Sequence, residues 1–387
     1  MSFDVVVVGG GIVGCTSAFY LARKGLKVAL VEKATIGCGT TSNSFAWVNA
    51  TAKVFNEAYH RLNATGHQMY CDLMVEFGEE KLGAQPMGAL GVVRRSDAGG
   101  YAAAQEQARL LEAYDYPYAW IGVRELRTME PHIEFPDDAE AIFSMSDPYL
   151  DAPTFARFMV EQTEALGGTV LENCAALELE ATDEGEVTGL VTDQGKLTAP
   201  HVLVTSGPDT AEVLSTLTGY DGFAARFPMR KVPGLLVTTP STAPHRLVRS
   251  VVYMSGAEEF HVQTEAGGGL RLGADDIDGK IAEDQGPQNL REAGIDLLRR
   301  TKRIIPGFVG ESCIDECRLG VGIRPYPEDG MSLVGPLPGS KGLHLIATHS
   351  GVSLAPIVGS LMAESIVEGQ LHERLEPFSL ERFQAFA

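Results

Sequence analysis

Three glycines near the start of the chain stand at a spacing that suits phosphate chemistry. Residues 9–14 read Gly-Gly-Gly-Ile-Val-Gly, so Gly9, Gly11 and Gly14 fit the pattern GxGxxG. Gly9 permits a tight turn, Gly11 lets the backbone approach a pyrophosphate, and Gly14 lets a helix pack closely on a strand. The backbone at Ile12 and Val13 opens that helix and presents free N–H groups and a positive dipole end to an anion. Eighteen residues past Gly14 stands Glu32, followed by Lys33. A carboxylate there accepts both hydroxyls of an adenosine ribose and disfavours a 2′-phosphate.

The surrounding segments supply the elements that such a site needs. Val5–Val8 is a continuous β-branched run, which suits a strand buried on both faces. Residues 12–24 read as a helix with Ile12, Ala18, Leu21 and Ala22 towards the sheet, ended by Gly25. Val28–Val31 is a second buried strand that finishes at Glu32. A lone GxGxxG says little. Strand, glycines, helix, strand and acid in order predict a dinucleotide-binding βαβ unit.

Composition narrows the class. The chain has 387 residues, 44% hydrophobic and 21% charged, which fits a folded globular protein of about two or three domains. Its formal charge of −20 repels phosphate backbones and anionic membranes, so nucleic acid is not expected as a partner. No run of eighteen apolar residues predicts a membrane span, and the start of the chain shows no basic signal region. The six cysteines form no CxxC pair, and no His cluster completes a metal site around Cys313 and Cys317. Reduced thiols, a cytoplasmic location and no metal are the expectations.

Four further segments resemble the D-amino-acid-oxidase-like FAD-dependent flavoproteins, which include glycine oxidase, sarcosine oxidase and related secondary-amine oxidases. They are Gly37–Ser44, Asp147–Leu177, Ala199–Gly207, and the stretch from Gly322-Ile323-Arg324-Pro325 through Leu333-Val334-Gly335-Pro336 to Thr348-His349-Ser350-Gly351-Val352-Ser353-Leu354-Ala355-Pro356. The resemblance covers nearly the whole chain. It implies an α/β protein with a Rossmann-like FAD-binding domain and an inserted α+β substrate domain built on an antiparallel sheet. The expected boundaries are 1–85, 145–225 and 315–387 for the first and 86–144 and 226–314 for the second. Strands are expected at Leu235–Thr238, Val251–Tyr253, Phe260–Gln263 and Leu270–Leu272, helices near 99–113 and 287–304.

The resemblance also implies a site. Thr40, Thr41 and Ser42 would run along the FAD pyrophosphate. Ala175 and Ala176 would lie near adenine, and Ser206 and Gly207 beside the dinucleotide. The family's aromatic after that Gly is replaced by Pro208-Asp209. Ser350, Gly351, Val352, Ser353 and Leu354 would start a last helix, near 357–368, whose dipole stabilises negative charge on the reduced flavin. FAD is expected to be held non-covalently, because Cys317 falls out of register with the attachment cysteine of some relatives. Arg324 occupies the family's carboxylate-gripping position, and a guanidinium matches a carboxylate as a fork. His261 stands where the family often has a Tyr facing the substrate. Tyr253 reads as pocket wall or catalytic group, and His349 as a partner of flavin or substrate. Lys231 and Arg230 offer a second positive centre, although a solvated pair is the simpler reading.

The implied reaction is oxidation of a small amino acid or secondary amine of the glycine, sarcosine, iminodiacetate or opine type. A hydride passes from the carbon beside nitrogen to the flavin, and the imine hydrolyses. The substrate would be anionic or zwitterionic, and the electron acceptor oxygen or a respiratory carrier. A 2-hydroxyacid or polyol-phosphate dehydrogenase is a second reading. A flavoprotein subunit passing electrons to a partner chain is a third.

Overall fold

The computed structural model describes residues 1–217, 223–256 and 259–383. A six-stranded sheet runs in the order Leu333–Pro336, Leu343–Ala347, His201–Val204, Val5–Val8, Val28–Val31, Thr169–Leu171. Its pairs are parallel except for the edge strand Leu333–Pro336. Val5–Val8 and Val28–Val31 are wholly buried, as unbroken β-branched and aliphatic runs must be when both faces are covered. Helices Ile12–Arg23, Glu57–Phe77, Ala152–Ala165 and Gly351–Glu368 share one core with this sheet. The other face packs against a meander of Ala176–Ala181, Val187–Thr192 and Gly195–Thr198.

A second sheet has eight strands: Arg318–Pro327, Met229–Thr238, Leu270–Gly273, Phe260–Thr264, Val251–Met254, Ala89–Arg94, Ala139–Ser144 and Ala119–Gly122. Helix Pro287–Ile304 packs behind it. Two expectations need correction. The sheet is not purely antiparallel, because Val251–Met254 pairs in parallel with Ala89–Arg94, and this pair joins the two inserted segments. The expected boundary at 315 also falls on the wrong side of a strand. Arg318–Pro327 pairs along its whole length with Met229–Thr238, so the GxRP segment belongs to the substrate sheet.

The last helix starts at Gly351 rather than near 357, six residues before the expected start. Pro356 reads as a stop because it has no N–H to give. Here the carbonyl that its N–H would have met, that of Val352, accepts the Tyr70 hydroxyl at 2.7 Å. A side chain from helix Glu57–Phe77 thus replaces the missing donor, and the helix runs on through the proline. Its 18 residues are long and apolar enough to cross a membrane, but most of its surface is buried in the core. Tyr70 itself is fully buried. Tyr70→Phe should therefore strand a buried carbonyl and lower stability by about 1–3 kcal/mol, read as a lower midpoint in urea unfolding. An unchanged midpoint would show that the hydroxyl does not support the helix.

Candidate active site

The parallel strands end at one edge of the sheet, and the residues that follow them meet there. Gly9 takes φ +110°, a left-handed value suited to glycine, and donates its N–H to Val31 O at 2.8 Å. A Cβ at Gly14 would collide with the Gly9 carbonyl, so the helix can sit against the turn only because Gly14 has none. Gly10 N–H donates to Glu32 Oε2 at 2.7 Å, and Ala34 N–H to Oε1 at 2.8 Å. Ile12 N–H donates to Thr41 Oγ1 at 3.0 Å. Thr205 N–H donates to Val8 O at 2.8 Å, and the Thr205 and Ser206 hydroxyls reach the same carbonyl.

From this edge a cleft of about 690 Å³ runs to the eight-stranded sheet. It is lined by Gly9, Gly11, Ile12, Val13, Glu32, Lys33, Thr40, Thr41, Ala175, Ala176, Ser206 and Gly207, then by Ser350 to Ser353, and at the far end by Tyr253, His261, Arg324 and His349. Three expected cofactor residues lie outside this lining. Gly14 serves the helix–strand contact. The Ser42 hydroxyl turns back to the Cys38 and Gly39 carbonyls at 2.8 and 3.0 Å. Leu354 is fully buried, and its N–H goes to Ser350 O. Lys231 pairs with Glu212 at 2.6 Å and Asp209 at 3.2 Å, and Arg230 lies over the Tyr326 ring, so neither lines the cleft. Lys33 also pairs with Asp209, at 2.7 Å. Cys317 donates to the Cys313 carbonyl and is not part of the lining.

The site fits FAD. The glycine turn and the start of helix Ile12–Arg23 suit a pyrophosphate, and Glu32 stands at the ribose position. The last helix begins at Ser350 without a side-chain cap, so the N–H groups of Gly351, Val352 and Ser353 open into the cleft. Loop 40–45 joins this half to the substrate sheet. Thr40 donates to Ile323 O at 2.7 Å, Gln263 to Phe45 O at 2.6 Å, and Arg271 to Ser44 O.

At the substrate end, aromatic rings and charges crowd together. The His261 ring lies parallel to Tyr253 at 5.9 Å and edge-on to Phe45 at 4.6 Å. The His349 ring stacks on Tyr326 at 4.4 Å, with Nε2 3.4 Å from the Tyr59 hydroxyl. Both histidines have a buried Nδ1 without a partner among the described residues. Burial lowers their pKa values to about 4 for His261 and about 3 for His349, where Lys53 and Arg324 add to the effect. Both rings are therefore neutral at pH 7. The Tyr253 hydroxyl bonds Glu259, and burial pushes that phenol up. Arg324 Nη2 lies 2.7 Å from Asp278 Oδ2 and Nη1 3.9 Å from Asp275. Burial raises Asp278 to about 6, although Arg324 pulls it back down.

Asp275, Asp278 and Lys53 went unremarked in the sequence reading. The acidic run Asp275-Asp276-Ile277-Asp278 directly after the strand Leu270–Gly273 was an available signal. Lys53 carried none, because it lies on an irregular loop of no periodicity.

A sequence model of the FAD dependent oxidoreductase family, DAO, matches residues 4–365. The chain belongs to this family. The oxidoreductase is 24% identical to the glycine oxidase of Geobacillus kaustophilus (strain HTA426), over 98% of its own length and 97% of the relative's. It is 25% identical to the glycine oxidase of Bacillus subtilis (strain 168), over 99% and 98% of the two chains. Its fold matches L-proline dehydrogenase from P. horikoshii with TM-score 0.83 at 19% identity, over 99% and 98% of the chains. Iminodiacetate oxidase from Chelativorans sp. BNC1 matches with TM-score 0.78 at 21% identity, over 97% and 98%. The oxidoreductase uses FAD.

The neutral rings tie stability to pH. An unfolded histidine takes its proton near pH 6.5, whereas these folded rings stay neutral down to about 4 and 3. Their contribution is complete above about pH 6.5 and is lost as pH falls towards those values. A His261→Gln/His349→Gln variant should lose less stability between pH 7 and pH 5 than the parent, by about 1 kcal/mol or more. Equal losses in urea unfolding would show that the rings titrate in the fold as they do in the unfolded chain.

Proposed function

We propose that this oxidoreductase oxidises a small zwitterionic amino acid or secondary amine, with FAD held non-covalently. One observation carries the reading. The uncapped helix start at Gly351–Ser353 and the charged, aromatic end formed by Arg324, His261 and Tyr253 line one continuous cleft. Bound FAD supplies a two-electron acceptor for the carbon next to the amine nitrogen. The helix start then stabilises negative charge placed beside it. Cations near Arg324 hold a carboxylate, and the aromatic walls Phe45, Tyr253 and His261 exclude water and fix the carbon skeleton. A neutral imidazole at His349 or His261 has a free lone pair that can accept a hydrogen bond from the substrate amine. The relatives named for glycine, L-proline and iminodiacetate, all bearing an amine beside a carboxylate, support this class.

The same lone pairs can accept from a hydroxyl, which favours a second reading, oxidation of a 2-hydroxyacid. The electron acceptor we propose is oxygen or a respiratory carrier.

Anaerobic titration of the purified yellow protein with amino acids, N-alkyl glycines, iminodiacids and 2-hydroxyacids should bleach the flavin band with an amine. Bleaching by hydroxyacids alone would transfer the assignment to the second reading. Acid precipitation should release the flavin into the supernatant; colour retained in the pellet would mean a covalent bond.

A further inference from the structure

Three cationic side chains line the cleft: Lys33, Lys53 and Arg324. Two already have carboxylate partners within the protein. Lys33 pairs with Asp209, and Arg324 with Asp278. Asp278 is firmly placed, since its side chain is only 12% exposed and its other oxygen accepts Leu235 N–H at 2.8 Å. Among the described residues Arg324 Nε is buried without a partner, which leaves Nη1 as the accessible end of the fork. The family position for gripping a carboxylate is thus half-filled by the protein's own acid.

Lys53 differs. Among the described residues its ammonium makes no hydrogen bond and no ion pair. The charged groups that face it are Asp275 and Arg324, with the neutral His349 ring close enough to feel its charge. A partly buried ammonium without an anion is costly unless a ligand supplies one. We propose that Lys53, rather than Arg324, grips the substrate carboxylate. This rests on the amine-oxidation reading above and sharpens its substrate class. Asp275 lines the same end and suits the substrate's ammonium. The substrate is then an amino acid with its carboxylate on Lys53 and its ammonium towards Asp275.

The test uses the FAD-loaded protein and benzoate, an inert carboxylate, followed by perturbation of the flavin spectrum. Lys53→Met should weaken benzoate binding on the order of ten- to a hundredfold, the size of one charge-assisted contact. Adding Asp278→Asn should restore part of it by releasing Arg324. Burial lowers the Lys53 amine below its ordinary 10.5. Parent affinity should therefore fall as pH rises through a value below 10.5, and the Lys53→Met variant should show no such step. For the amine that bleaches the flavin, Lys53→Met should raise KM by a similar factor. Benzoate binding that survives Lys53→Met overturns the proposal, as does a parent protein that ignores benzoate. Normal bleaching by an amine with KM unchanged in Lys53→Met overturns it and leaves amine oxidation standing. Lys53-dependent benzoate binding with no amine that bleaches does the reverse.

Discussion

Four of the sheet's five parallel strands end side by side, and the residues after three of them are hydrogen-bonded at one glycine turn. Gly9 bonds back to Val31, Thr205 to Val8, and Gly10 to the Glu32 carboxylate. These strands come from chain positions near 5, 28, 201 and 343, so the chain leaves this edge and returns to it repeatedly. Each return is fixed by backbone bonds in a sheet whose central strands are buried, where an unmade bond is costly. The excursions between returns build the far wall of the cleft.

That wall combines charge balance with neutral rings. Opposite charges are set close together at Arg324, Asp278 and Asp275, while His261 and His349 are kept uncharged by burial. In a region of low dielectric, charges act strongly when a ligand excludes water. An overall charge of −20 does not set the field in the cleft, because the local pairing decides it there.

The cofactor half was largely legible in the sequence, because its signals are local. Val5–Val8, the glycine turn and Glu32 lie within one short βαβ unit, and each follows from sterics or from a continuous apolar run. Much of the substrate sheet was legible as strands but not as pairings. The parallel contact of Val251–Met254 with Ala89–Arg94 joins distant segments and leaves no mark on either. The last helix was read too short because Tyr70, remote in sequence, supplies the donor that Pro356 lacks. Arg324 could be singled out by its motif, whereas Asp278, which shapes its chemistry, is known as its partner only from the fold. Ser42 and Leu354 were assigned by position in a motif, and neither reaches the cleft once its own turn or helix is formed.

The loop 40–45 lies between both halves, and it is tied to the substrate sheet at Ile323, Gln263 and Arg271. Its other face runs along the cleft beside the glycine turn, with Thr41 capping the first helix. Whatever orders this loop therefore orders both walls together. A disturbance at the glycine turn would therefore be passed through this loop to strands 260–264 and 318–327.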